Sequence, residues 1–269
     1  MIDLEHLPDV GDPRLPTFFD ELPIWSAPFG LALLDLVTLR PGIAALDIGP
    51  GTGFPALELA QRLGSTASVT GVDPWGAALE WASARATFLG LDNVRLVEGA
   101  AEALPLADGS IDLIVSNNGL NNVADLERVL GECARVARPG CELVMTANGP
   151  GSMRPLYDAL EAVVGADDAA IGERVAAHID ARRKSLSFWR EALDRHGFVV
   201  AAVHEAEFAL RFADAAAMFA HPFMRLAFVP GWLALVPEGR RAGVFEAVAR
   251  RLPAPVSLPI PFFALRAVR

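Results

Sequence analysis

The sequence predicts an α/β fold, a doubly wound and mostly parallel seven-stranded sheet with helices on both faces. Three observations predict it. Short apolar runs alternate with amphipathic stretches between residues 43 and 147, a triple-glycine turn follows the first run, and an acid ends the second run twenty residues after the last of those glycines. Alternating strands and helices imply parallel strands joined by right-handed crossovers, with a ligand beyond the carboxyl ends of the strands.

Taken in order, a proline-broken lead is followed by an apolar helix, LALLDLVTL (31–39), which Arg40-Pro41-Gly42 stops. IAALDI (43–48) reads as a strand and PALELAQRL (55–63) as a helix. SVTGVD (68–73), VRLVEG (94–99), SIDLIVS (110–116) and CELVMTA (141–147) read as strands, with helices at 77–90 and 125–137 between them. After Pro150 the pattern changes. Residues 153–196 read as mostly helical, FVVAAVH (198–204) and PFFALRAV (261–268) as two more strands, and 215–252 as a helical insert rich in Phe, Met and Trp. The expected organisation is an N-terminal helical cap over 1–40, a Rossmann-like core over 41–150, and a segment 151–269 that completes the core and carries the cap insert 215–252.

The totals narrow the function. Of 269 residues 52% are hydrophobic and 21% charged, which excludes a disordered chain. A net charge of −10 argues against nucleic acid or anionic membranes as partners, since both require a basic face. Cys133 and Cys141 lie in no CxxC or Cys/His cluster, so they read as small buried hydrophobes and no metal is expected. The N-terminal MIDLEHLPDVGDP has acids where a secretion signal begins with bases, and no apolar run reaches the roughly 20 residues that span a bilayer. A cytoplasmic protein is expected.

The chemistry concentrates in ALDIGPGTGFPALELA (45–60). A strand ends, Gly49, Gly51 and Gly53 follow around Pro50, and Pro55 opens a helix. A dinucleotide site spaces its glycines G-x-G-x-x-G. Here the pattern is G-x-G-x-G behind Asp47, an acid that repels a phosphate and suits an ammonium group. Asp73, at the tip of the second strand, has the place and chemistry to take both hydroxyls of a ribose. Trp75, two residues on, offers a ring to a purine.

These pieces resemble the class I S-adenosylmethionine-dependent methyltransferases, of the small-molecule, ubiquinone/menaquinone-methylase-like type. The matching blocks are LDIGPGTG (46–53), GVDPW (71–75), GAAEALPLADGSIDLIVS (99–116) and ECARVARPGCELVM (132–145), in the family's order and spacing. The resemblance, covering roughly residues 40–147, implies S-adenosylmethionine as cofactor. It implies that the glycine loop passes the methionine part, that Asp47 lies near its ammonium, that Asp73 binds the ribose, and that Pro74 and Trp75 flank the adenine. One block departs from the family. Relatives often read Gly-Asp-Ala where this chain has Gly99-Ala100-Ala101, so the Ala101 N–H remains for a ring nitrogen but Ala100 has no acceptor for the adenine amino group. The missing hydrogen bond is worth roughly 0.5–1.5 kcal/mol.

In this fold the fourth strand ends beside the methyl-donating sulfur, which gives Ser116, Asn117 and the run Asn118-Gly119-Leu120-Asn121-Asn122 an address. Asparagine donates and accepts but takes no proton at neutral pH, so Asn118, Asn121 and Asn122 are candidates for orienting an acceptor rather than deprotonating it. Asn-Asn-Gly is also an ordinary turn sequence. His221, before Pro222, is a further acceptor-side candidate, and Trp25, Phe29, Tyr157, Trp189, Phe219 and Phe223 are candidates for an apolar pocket.

The expected reaction is therefore methyl transfer to a small, partly apolar metabolite or natural product, with homodimer formation left open. A non-catalytic module that binds the cofactor or its demethylated product is the alternative. An NAD(P)-dependent oxidoreductase is less favoured, because the sixth-position glycine and a Tyr/Lys relay are missing.

Overall fold

A computed structural model describes residues 9, 11–20, 24–164 and 168–269. The N-terminal reading of 1–8, parts of the 1–40 cap (10 and 21–23) and residues 165–167 of the helical 153–196 stretch lie outside the described residues. In chain order the elements are α1 (Leu15–Asp20), α2 (Ser26–Leu36), β1 (Ala44–Ile48), α3 (Ala56–Leu63), β2 (Ser68–Asp73), α4 (Gly76–Phe88), β3 (Val94–Glu98), β4 (Ile111–Asn117), α5 (Leu126–Val136) and β5 (Ala137–Asn148). There follow α6 (Arg154–Val164), α7 (Ala169–Arg182), α8 (Leu186–Arg195), β6 (Val199–Phe212), α9 (Ala215–Ala220), α10 (Pro222–Ala227), α11 (Val229–Leu235), α12 (Arg241–Arg251) and β7 (Val256–Val268).

The seven strands form one sheet in the order β3-β2-β1-β4-β5-β7-β6. β1 through β5 pair in parallel, and β7 runs antiparallel to β5. The expected doubly wound, mostly parallel α/β fold is the one observed. β6 and β7 are longer than predicted. Their added residues, such as Glu205-Ala206-Glu207 and Ser257-Leu258-Pro259, interleave acids or a proline that weaken an apolar-run signal. α2 begins five residues before the predicted helix and stops at Leu36, short of the Val37-Thr38-Leu39 that was included in it.

The chain divides into two compact units. One, residues 23–149, 184–206 and 262–269, holds the body of the sheet. Its core shows why the strands read as continuous apolar runs, since successive residues feed opposite faces of a sheet covered on both sides. Ala45, Val69, Leu113, Val115 and Val144 pack with Leu33 and Leu34 of α2 and Ala56, Leu59 and Leu63 of α3. Their neighbours Leu46, Ile114, Leu143 and Met145 pack with Val129 and Cys133 of α5 and Trp189 and Leu193 of α8. Cys133 and Cys141 are both free and buried, and burial pushes their thiols up to about 12, so they behave as the small hydrophobes their setting predicts. The other unit, residues 1–22, 150–183 and 207–261, contains α6, α7 and α9–α12, and so includes the whole 215–252 insert. Phe219, Trp232 and Phe245 form edge-to-face ring contacts inside it.

Candidate functional site

Register places the polar residues. β1, β2, β4 and β5 end together, pairing Asp47 with both Gly71 and Val115, Asp73 with Glu98, and Asn117 with Thr146. The carboxyl edge of the parallel sheet therefore carries Asp47, Asp73, Asn117 and Thr146 on adjacent strands, with the glycine loop leaving β1 between them.

The loop is tied to the second strand by Asp73. Its Oδ2 accepts from the Gly51 N–H at 2.9 Å and its Oδ1 from the Trp75 N–H at 2.8 Å. Gly49 donates to the Val72 carbonyl at 3.0 Å and Gly53 to the Pro50 carbonyl at 2.8 Å. Gly53 has a φ of +108°, and a Cβ there would meet Leu57 Cδ1 at 2.8 Å, so it lets α3 start flush against the loop. Pro55 lies immediately before the helix, as its N-cap, and not within its first turn as predicted. Burial raises the Asp73 carboxyl above its ordinary value, with the Trp75 and Gly51 N–H groups pulling the other way.

Asp47 is fully buried, and neither carboxylate oxygen has a well-aligned hydrogen-bond partner among the described residues. Burial, reinforced by the charge of Asp73, pushes its carboxyl up to about 8 against a weaker opposing pull from the Ala56 N–H. An uncompensated carboxyl at the bottom of a glycine loop fits a cationic ligand group, which would hold it ionised.

The asparagine run has divided roles. Ser116 is buried, donates to the Ile48 carbonyl at 2.9 Å and accepts from the Leu120 N–H at 3.0 Å, which fastens the loop after β4 to the end of β1. Gly119 closes the same junction, since a Cβ there would lie 2.5 Å from the Ile48 carbonyl oxygen. Asn117 is engaged at both ends, donating to the Ser26 carbonyl at 3.0 Å and accepting from Thr146 Oγ1 at 2.9 Å. Asn118 has a φ of +61°, the left-handed conformation its turn sequence favours, and its carbonyl accepts from Asn122 Nδ2 at 2.8 Å. Asn121 Nδ2 donates to Asn148 Oδ1 at 3.1 Å. Two acceptors remain over: Asn118 Oδ1 and Asn121 Oδ1 are buried and unpartnered among the described residues.

Of the other predicted positions, Pro50 is buried beneath the loop, Pro74 is exposed, Trp75 is half-buried as the residue before α4, and Ala100 is exposed beside buried Ala101. Trp25 and Phe29 pack ring against ring at 5.1 Å, and Phe29 meets Phe262 edge-on at 4.8 Å. Trp189 is not brought to this edge, because it is a buried residue of α8 packed into the core with Val129 and Cys133 of α5. Tyr157, Phe219, Phe223 and His221 belong to the helical unit. Burial lowers the His221 ring below its ordinary value. Sequence reasoning passed over Thr146 and Asn148, although polar residues closing an otherwise apolar fifth strand were a readable signal. It also passed over Arg183, because Arg182-Arg183-Lys184 reads as a solvated helix end.

Residues 46–145 match the model of a family described as a methyltransferase domain. This segment is a class I methyltransferase domain. The chain is 36% identical over 122 residues to a ubiquinone/menaquinone biosynthesis C-methyltransferase of Brucella anthropi, a match spanning 45% of this chain and 43% of that protein. It is 35% identical over 127 residues to a malonyl-[acyl-carrier protein] O-methyltransferase of Coxiella burnetii, covering 47% and 41% of the two chains. The chain thus spans under half the length of either relative. A solved structure described as a methyltransferase, from Bacillus halodurans C-125, superposes with a TM-score of 0.61 over 89% of this chain and 97% of that one. At 18% identity that likeness shows the fold alone.

Proposed function

We propose that the chain transfers a methyl group from S-adenosylmethionine to a small, partly apolar metabolite or natural product by in-line substitution. The observation that carries this reading is the buried pair of acids at the carboxyl edge, Asp73 tied to the glycine loop and Asp47 uncompensated beneath it, inside a methyltransferase domain. The cofactor, when bound, supplies an already activated methyl group. What falls to the protein is alignment and exclusion of water.

In this reading Asp47 holds the ammonium, Gly49, Gly51 and Gly53 line the methionine part, Asp73 takes the ribose hydroxyls, and Pro74, Trp75 and the Ala101 N–H border the adenine. Asn118 and Asn121 supply their open carbonyl oxygens to orient a donor group of the acceptor, with Asn122 holding the Asn118 backbone. Neither can remove a proton, so the acceptor reacts through an atom already nucleophilic at neutral pH, or the proton leaves to water. Relatives described as C- and O-methyltransferases support a small-molecule acceptor without choosing the atom. The reading includes a cytoplasmic location and no nucleic-acid partner, supported by the acidic charge, and leaves a homodimer open. Among the described residues no helix is long and apolar enough to cross a membrane.

A non-catalytic cofactor-binding module is the second reading. It is favoured by the asparagine-only strand end and by Ala100. Calorimetry with S-adenosylmethionine, S-adenosylhomocysteine and NAD, followed by transfer of labelled methyl to a metabolite extract, separates the two. Binding of the first two without label transfer supports the module, and binding of NAD alone defeats both.

A further inference from the structure

We propose that Arg183 and Tyr157 anchor an oxyanion, the carboxylate or phosphate of a small molecule, inside the helical unit. Arg183 directly follows α7 and is only 6% exposed. Its Nε donates to the Ser152 carbonyl at 3.2 Å and its Nη2 to Tyr157 Oη at 2.7 Å, with the guanidinium carbon 4.6 Å from the Tyr157 ring centroid. Nη1 is buried and has no hydrogen-bond partner among the described residues. No acid is among the groups that shift its titration. Burial dominates and lowers it, Tyr157 raises it, and Arg182 lowers it further.

A guanidinium keeps its proton, so burying one without a carboxylate carries a desolvation cost that a carbonyl, a phenol oxygen and a ring face offset only in part. The phenol sharpens the point. Tyr157 Oη accepts from Arg183 Nη2 and also from Trp232 Nε1 at 3.0 Å. With both lone pairs taken, its own O–H can only donate. The cluster therefore holds a buried, unpartnered Nη1 and a phenol hydrogen, donors around a fixed positive charge, which is the complement of an oxyanion. His178, its ring 6.0 Å from that of Tyr157, is pushed down to about 4 by burial, Arg183 and Arg182, so at neutral pH it adds no charge. Trp232, stacked on Phe228 at 5.9 Å and 19°, is fully buried and fixes the phenol through its Nε1 donation. The inference uses residues of the helical unit alone and does not depend on the methyl-transfer reading.

The test is calorimetry of the whole chain, in a buffer free of carboxylate and phosphate, with sodium benzoate, inorganic phosphate and benzamide as probes. Benzoate or phosphate is expected to bind and neutral benzamide not to, and the stronger anion identifies the source. Arg183→Lys keeps the charge but loses the two-pronged donor, and is expected to weaken the anion by about tenfold or more. Tyr157→Phe, which keeps the ring, should weaken it severalfold, and it decides the matter if Arg183→Lys does not fold. Wild-type protein that binds neither anion at millimolar concentration overturns the proposal. So does equal binding of benzamide, or an anion affinity unchanged in the variants while their melting temperature falls, since that pattern assigns Arg183 a packing role only.

Discussion

Replacing Asp47 by Asn should change how stability depends on pH more than any other single substitution in the sheet unit. In the unfolded chain the carboxyl titrates near 3.8, whereas the folded environment pushes it up to about 8. Between those values the folded state binds more protons than the unfolded state, so this group makes stability fall as pH rises through the window. At about 1.36 kcal/mol per unit, the cost reaches about 4 kcal/mol by pH 7 and levels off near 6 kcal/mol above pH 8. Asn is neutral and nearly isosteric, so Asp47→Asn removes the cost while keeping the volume. The variant should match wild type near pH 4 and exceed it progressively up to pH 8. Urea denaturation of both proteins at five pH values, without ligand, measures the gap, because titrating groups that do not couple to Asp47 cancel in the difference and only Asp73 is coupled to it. A gap that stays constant from pH 5 to pH 8 would refute the argument from burial. The same variant should bind S-adenosylmethionine more weakly than wild type at pH 8, because its side chain cannot meet an ammonium as an anion.

Asp73→Ala should weaken S-adenosylmethionine by more than about tenfold in calorimetry and also lower the melting temperature, since the Gly51 and Trp75 N–H groups each lose a charged acceptor worth about 1.5–3 kcal/mol. Unchanged affinity would remove Asp73 from the cofactor site. Asn118→Gly keeps the left-handed backbone and deletes only the side chain, so turnover of labelled methyl should drop more than cofactor affinity does, and wild-type turnover would return Asn118 to a turn role. Gly119→Ala should destabilise more than Gly30→Ala. Its Cβ meets the Ile48 backbone oxygen at 2.5 Å, whereas a Cβ on Gly30 meets the Phe54 ring, which can swing away, and thermal melts of the two variants rank them. Ser116→Ala strands the buried Ile48 carbonyl and Leu120 N–H and should cost about 1–3 kcal/mol by urea denaturation.

How legible the molecule was differs between its parts. The strand-helix alternation through residue 147 followed from residues such as Ala45-Leu46 and Leu113-Ile114-Val115, each of which feeds one face of a doubly covered sheet and so leaves an unbroken apolar run. The glycine turn and the tip acid were equally readable, because a phosphate-poor, acid-backed loop requires particular residue types at particular spacing. Asparagine chemistry was readable only as far as its capacity. Composition said that four amides could donate and accept, but could not say that Asn117 is consumed by Ser26 and Thr146 while Asn118 and Asn121 keep an acceptor open. Those partners lie tens of residues away and are brought together by the registers of β4 and β5 and by the packing of α2.

By itself, then, the sequence determined the α/β class, the parallel core, the cofactor-type loop and its two acids, since each depends on local spacing and on the period of apolar residues. Tertiary structure decided what spacing cannot encode. It buried Asp47 deeply enough to hold its proton near neutrality, put Trp189 in the core, and turned Arg183, one residue of a basic run, into a buried cation lacking a counter-charge among the described residues. Burial and long-range pairing set those outcomes, and both are properties of the assembled chain.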